Sequence, residues 1–137
     1  MSSFKAFEIA GSGMAAQTVR LNTTASNLAN ADSVSGDPST VYKARHPVFE
    51  AVRAGINGDG NAAVRVRGIY ESEAPATARY EPGNPLANAD GYVFAPSVNV
   101  VEEMVNMISA SRTYQNNVEV MNTSKDLLLA TLRLGQS

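Results

Sequence analysis

Residues 3–31 read SFKAFEIAGSGMAAQTVRLNTTASNLANA, and their apolar periodicity is the strongest structural signal in the chain. Its main apolar row repeats every seven residues and consists of Phe7, Met14, Leu21 and Leu28. A second row falls three residues earlier each time, at Phe4, Gly11, Thr18 and Ala25. Alternating steps of three and four produce a narrow apolar stripe along a helix, and such a stripe needs another helix as its partner. The pattern therefore predicts a helix over residues 3–31 that packs against a second helix.

The back of this predicted helix is almost uncharged. Between residues 9 and 31 the one charged side chain is Arg20, whereas average usage would place about five or six charges there. The remaining back-face residues are Ala, Ser, Thr, Asn and Gln, which permit close contact with neighbours. We therefore expect this helix to meet more than one partner. Because Gly11 and Gly13 lack side chains, we expect them to let another backbone come close, with a helix break near Gly11 as the alternative.

A matching heptad pattern lies near the other end of the chain. One row is Met107, Tyr114, Met121 and Leu128, and the second is Met104, Ser111, Val118, Lys125 and Leu132. Asn99 is placed to cap this helix, because Glu102 follows three residues later. Gly135 marks its end, just after Leu134.

The two ends together predict a seam for helix packing and assembly. Its residues are Phe4, Phe7, Met14, Leu21, Leu28, Met104, Met107, Tyr114, Val118, Met121, Leu128 and Leu132. Lys125 belongs to the second row and would be costly to bury, so we expect it either to reach the edge of the seam or to pair with a carboxylate such as Glu8 or Asp126.

The middle of the chain predicts short strands. The candidates are 41–52, with Pro47 restricting it to an edge strand or loop, 63–70, with Gly68 at a possible bulge, 78–80 and 92–94. A turn is predicted at 57–61, NGDGN. The predicted fold class is thus mainly α with a small β insert: long N- and C-terminal helices packed as a coiled-coil hairpin, with short antiparallel strands between them. We expect residues 1–31 and 97–137 to form an inner coiled-coil domain and residues 32–96 to form the insert.

Composition argues against several functional classes. The formal net charge of −2 gives no field that would attract nucleic acid, and the absence of cysteine excludes disulfides and thiolate metal sites. No stretch approaches the roughly 20 apolar residues that span a bilayer, and the N-terminal residues do not resemble a Sec signal peptide. His46 has no nucleophile or orienting group signalled nearby, so a solvated histidine is expected there. We expect no enzyme activity, no cofactor and no metal site.

Several segments resemble a known protein family. AAQTVRLN at 15–22 and ASNLANA at 25–31 are similar to the N-terminal signature of bacterial flagellar rod, hook and hook-associated axial proteins. EPGNP at 81–85, ADGYV at 89–93 and VNVVEEMVNMISASRTYQ at 98–115 resemble, more narrowly, a proximal rod protein of that family. The likeness extends over about two thirds of the chain.

The resemblance implies a structural subunit of the flagellar basal-body rod, which drives motility. It implies terminal helices in the inner coiled-coil layer of a helical assembly, export by the flagellar type III apparatus and assembly on the periplasmic side of the cytoplasmic membrane. The implied partners are other rod proteins, basal-body components and further copies of the chain. The alternative is a self-contained helical adaptor or export chaperone of the flagellar system.

Overall fold

The computed structural model describes residues 3–53 and 62–135, in which two long helices flank two small antiparallel sheets. The elements in chain order are α1 (Ser3–Ala29), a short 3-10 helix (Pro38–Thr40), β1 (Arg45–Arg53), β2 (Ala62–Glu71), β3 (Thr77–Tyr80), β4 (Tyr92–Ala95) and α2 (Val100–Gly135). This order confirms the prediction of two terminal helices separated by short strands. The turn predicted at 57–61 lies outside the described residues.

Helix α1 runs without interruption through both of its glycines, so the alternative of a break near Gly11 is wrong. The two glycines have different surroundings. A Cβ atom on Gly13 would lie 2.9 Å from Nδ2 of Asn117 in α2, whereas a Cβ atom on Gly11 would have no neighbour within 4 Å. The nearest group at Gly13 is therefore a side chain and not the backbone that the sequence predicted, and Gly11 has no such close neighbour.

Helix α2 begins where its cap predicts. The backbone N–H of Glu102 donates to Oδ1 of Asn99 at 3.2 Å, and the N–H of Glu103 donates to the Asn99 carbonyl at 3.0 Å. Glu102 and Glu103 lie in the first turn and Arg133 in the last, so each charge has the sign that favours its end of the helix dipole.

Strands β1 and β2 form one two-stranded sheet that contacts α1. Val48 pairs with Gly68 and Phe49 pairs with Val66, which leaves Arg67 without a partner and confirms a bulge beside Gly68. The sheet is attached to α1 by the N–H of Val64, which donates to Oγ of Ser12 at 3.1 Å. His46 lies in β1, half-buried, with its ring centroid 5.4 Å from that of Tyr70, so it is not the solvated side chain expected from the sequence.

Strands β3 and β4 form the second sheet, whose central side chain is the fully buried Val93. Gly91 enters β4 with a φ of 81° and is, among the described residues, the one glycine with positive φ. Its carbonyl accepts from the N–H of Glu81 at 2.9 Å, and its own N–H donates to the Asn88 carbonyl at 3.0 Å.

We expect Gly91→Ala to lower the free energy of unfolding of this sheet. The left-handed conformation costs a residue with a Cβ about 1–2 kcal/mol, and the new atom would lie 2.8 Å from Cε2 of Tyr80. Thermal unfolding followed by near-ultraviolet circular dichroism of the tyrosines measures the change. Gly83→Ala is the matched control, because its added Cβ meets nothing within 4 Å. Equal stability of the two variants would contradict the prediction.

The two helices contact each other in antiparallel orientation. Asn117 approaches Gly13, Asn106 bonds to Arg20 and Glu103 bonds to Asn27, so residue numbers fall along α2 as they rise along α1.

Candidate functional site

The buried positions of the two helices are small or polar. They are Ala10, Ala16, Thr23, Thr24 and Asn27 in α1, and Glu103, Ala110 and Ser124 in α2. Among the described residues of both helices, no apolar side chain larger than alanine is buried. These fully buried positions remove little apolar area from water, so the apolar stabilisation of the helix pair comes from larger side chains that are only half-buried.

Asn27 is the centre of a polar junction between the helices and the first sheet. Its side chain is fully buried, with 0% exposure. Nδ2 donates to the Arg45 carbonyl at 2.9 Å and to Oε2 of Glu103 at 3.1 Å. Oδ1 accepts from the Tyr42 hydroxyl and from the Arg45 N–H, both at 2.8 Å. Both donor hydrogens and both acceptor sites of the amide are therefore used, and one side chain joins α1 to α2, to the start of β1 and to the loop before it.

The Tyr42 phenol at this junction has a raised pKa. Burial raises the pKa of the Tyr42 phenol, the Arg45 charge opposes that rise, and the carboxylates of Glu103 and Glu71 add to it. The phenol therefore stays protonated through the neutral range and keeps donating to Asn27. Its contribution to stability is present below its ordinary pKa of 10.0 and is lost as the pH rises through the higher folded value.

A second polar contact lies one heptad along α1 from Asn27. Nη2 of Arg20 donates to Oδ1 of Asn106 at 3.0 Å. Arg20, the one charge in the charge-poor segment, thus contributes to the contact between the helices.

The predicted seam residues are divided between two environments. Half-buried positions are Met14, Leu21, Leu28, Met107, Tyr114, Val118, Met121 and Leu128. Exposed positions are Phe4, Phe7, Met104 and Leu132, with exposed fractions of 68%, 37%, 52% and 63%. On α2 the buried row is Glu103, Ala110 and Ser124, one position before the predicted second row. Whether the seam residues pack in the assembled state stays a prediction.

At the far end of the helix pair, Lys125 is exposed and lies beside a shallow apolar depression. The depression has a volume of about 290 Å³, and its other lining residues are Phe4, Phe7, Leu128 and Leu129. The ends of both helices therefore present apolar surface together.

A further apolar surface lies on the side of α2 away from Glu103 and Ala110. We call it the outer ridge, and it consists of Val101, Met104, Val105 and Ile108, with exposed fractions of 71%, 52%, 60% and 53%. The steps of three, four and seven residues place these side chains on one face. The heptad pattern includes only Met104 of this group, although the same spacing rule could have identified the others. Adjacent exposed apolar side chains of this kind mark interaction surfaces.

Neither a metal-binding cluster nor a membrane-spanning helix is present among the described residues. Within 3–53 and 62–135, no cluster of three or more histidine, cysteine or carboxylate side chains is placed to hold a metal ion. In the same ranges, neither long helix combines the length and the apolar character that a membrane span requires.

Known proteins are similar to this chain in the regions of both long helices. Residues 7–36 match the family model described as flagella basal body rod protein, and residues 89–134 match that of the C-terminal region of the flagellar basal body rod FlgEFG proteins. The flagellar basal-body rod protein FlgC of Salmonella typhimurium is 54% identical over 136 residues, covering 99% of this chain and all of the relative. FlgC of Escherichia coli O6:H1 is also 54% identical over the same share of each chain.

More distant relatives align over the whole length as well. FlgC of Buchnera aphidicola subsp. Acyrthosiphon pisum is 40% identical over 144 residues, again covering 99% of this chain and all of the relative. The likeness thus includes both helices and the sheets between them, and it is to structural rod proteins, not to enzymes. The chain belongs to the FlgC family of flagellar basal-body rod proteins and is a structural subunit of that rod.

Proposed function

We propose that the chain is a subunit of the proximal part of the rod and that its folding is completed by assembly. In this proposal residues 1–31 and 97–137 form the inner domain, where α1 and α2 pack as a coiled coil, and residues 32–96 form a small outer insert. The seam residues and the outer ridge then contact neighbouring rod subunits, including further copies of the chain.

The contrast between buried and exposed side chains carries this proposal. The fully buried helix positions are alanine, serine, threonine, asparagine and glutamate, whereas the large apolar side chains are half-buried along the seam or exposed on the outer ridge and at the helix ends. A chain that folds to completion alone places its large apolar residues inside. Here they remain available to neighbours, and contacts between different surfaces of successive subunits build an open helical tube instead of a closed dimer.

Weak pairing of the helices also suits delivery through a narrow channel. We propose export of the unfolded chain by the flagellar type III apparatus, followed by assembly on the periplasmic side of the cytoplasmic membrane without a Sec signal. The small side chains of the helix interface support this step, because a marginally stable helix pair is readily unfolded before export.

Hydrogen exchange tests assembly-coupled folding. We expect amides of residues 4–30 and 104–132 to exchange rapidly in the purified chain at low concentration and to become protected when partner rod proteins are added. The β3–β4 sheet serves as the internal reference for folded structure. Strong protection of both helices in the dilute monomer would contradict the proposal and would favour a self-contained adaptor or chaperone.

A further inference from the structure

The apolar rows do not determine how far α1 is shifted along α2. Each row repeats every seven residues, so moving one helix by a heptad brings equivalent apolar positions together again. The buried positions are mostly alanine, serine and threonine. Small side chains interlock weakly and discriminate poorly between alignments. Something other than apolar packing must select the observed alignment.

The polar junction provides that selection. In the observed alignment Asn27, with 0% exposure, and Glu103, with 4%, bond to each other at 3.1 Å. A shift of α2 by one heptad would place Ala110 in the position of Glu103, which would leave an Nδ2 hydrogen of Asn27 without an acceptor. A buried amide without its partners is strongly disfavoured. Misalignment is therefore penalised at this point even where the apolar contacts tolerate it.

The same amide also holds the first sheet. Arg45, at the start of β1, bonds to Asn27 through both its N–H and its carbonyl, and Tyr42 bonds through its hydroxyl. Tyr42 and Arg45 lie outside both helices, so a shift of α1 along its axis would break their hydrogen bonds to Asn27. Asn27 thus fixes both the alignment of the two helices and the position of the β1–β2 sheet relative to α1.

We propose that Asn27, acting with Glu103, is the register pin of the subunit, the group that selects one alignment of α1 on α2 and thereby gives each rod subunit the same outer surface. A single buried asparagine is known to select register in helical coiled coils. The inference rests on the proposed function in one respect, namely that the helix pair is retained in the assembled rod.

An engineered disulfide can replace the pin, because the chain has no cysteine of its own. The ideal Cβ position at Gly13 lies 3.2 Å from Cγ of Asn117, the atom whose place a cysteine sulfur would take. Gly13→Cys with Asn117→Cys therefore clamps the observed alignment. Gly13→Cys with Ser124→Cys is the matched control, because residue 124 lies one heptad beyond Asn117 and this pair clamps the alignment that places Ala110 opposite Asn27.

The experiment measures the chain incorporated into isolated basal bodies, divided by the amount exported, in a strain that has this chain as its only copy. We expect Asn27→Ala to lower incorporation about tenfold or more. Under oxidising but not reducing conditions, the 13–117 clamp restores it, and the 13–124 clamp does not. Glu103→Gln keeps an acceptor oxygen and retains incorporation, while Glu103→Ala lowers it.

Three results would overturn the register pin: normal incorporation of Asn27→Ala, failure of the 13–117 clamp to restore it, or equal restoration by both clamps. Equal restoration would mean that Asn27 contributes only general stability. Failure of the parent chain to enter basal bodies is a separate result, and it would contradict the proposed function instead.

Discussion

Ile108→Asp should prevent the subunit from entering the rod while leaving its own fold intact. Ile108 lies in the outer ridge with 53% of its surface exposed. A neighbour that covers the exposed part of each ridge side chain would contribute about 1 kcal/mol per residue. An aspartate there removes that contribution and adds the cost of burying a charge, several kcal/mol. We expect incorporation into basal bodies to fall about a hundredfold or more.

Asn116→Asp is the control for this substitution. It introduces the same charge on α2 at an exposed position that is already polar. Circular dichroism and hydrogen exchange of the β3–β4 sheet should be unchanged in both variants, whereas only Ile108→Asp should lose incorporation. If both variants enter basal bodies equally well, the outer ridge is not a contact surface of the rod.

Local signals in the sequence predicted the local structure well. Asn99 and the glutamate three residues later located the start of α2, and the N–H of Glu102 donates to the Asn99 side chain as expected. The glycine at position 68 identified the bulge, because a residue without a side chain among alternating apolar and charged residues suits that geometry. These features depend on neighbours within a few residues, so they can be read from one segment at a time.

The polar junction could not be predicted in this way. Asn27 lies in a run of small polar residues, and nothing in its immediate neighbours distinguishes it from Asn22 or Asn30. Its partners are 15, 18 and 76 residues away in the chain. Only the folded chain brings Tyr42, Arg45 and Glu103 together around it.

The buried row of α2 differs from the predicted second row for a physical reason. The prediction followed large apolar side chains and therefore selected Met104, which is 52% exposed, where the structure buries the preceding Glu103. Apolar periodicity identifies surfaces that avoid water, but it does not say whether the chain itself or a neighbouring subunit covers them. In a subunit of an assembly, the residues that are buried within the chain and the apolar residues that neighbours cover are therefore different sets.

Deletion of residues 1–30 should abolish motility completely, and the stage at which the chain is lost should distinguish two roles of this segment. The deletion removes α1, and with it the Asn27 junction and the contact with α2. It also removes the segment that we expect to contribute to export. The truncated chain should therefore remain in the cytoplasm, as measured by immunoblotting of the cytoplasmic, exported and basal-body fractions.

Leu21→Ser with Leu28→Ser separates assembly from export. Both side chains are half-buried seam residues, and serine removes their apolar contribution, about 2 kcal/mol each when fully covered. Export should persist because the segment is present and unfolded during passage, whereas incorporation should fall to background. Thr18→Ser, at an exposed position of the same helix, should preserve both stages.

A motile strain carrying the 1–30 deletion would contradict a requirement for α1 in the rod. Normal incorporation of the double serine variant would instead show that Leu21 and Leu28 are dispensable for assembly.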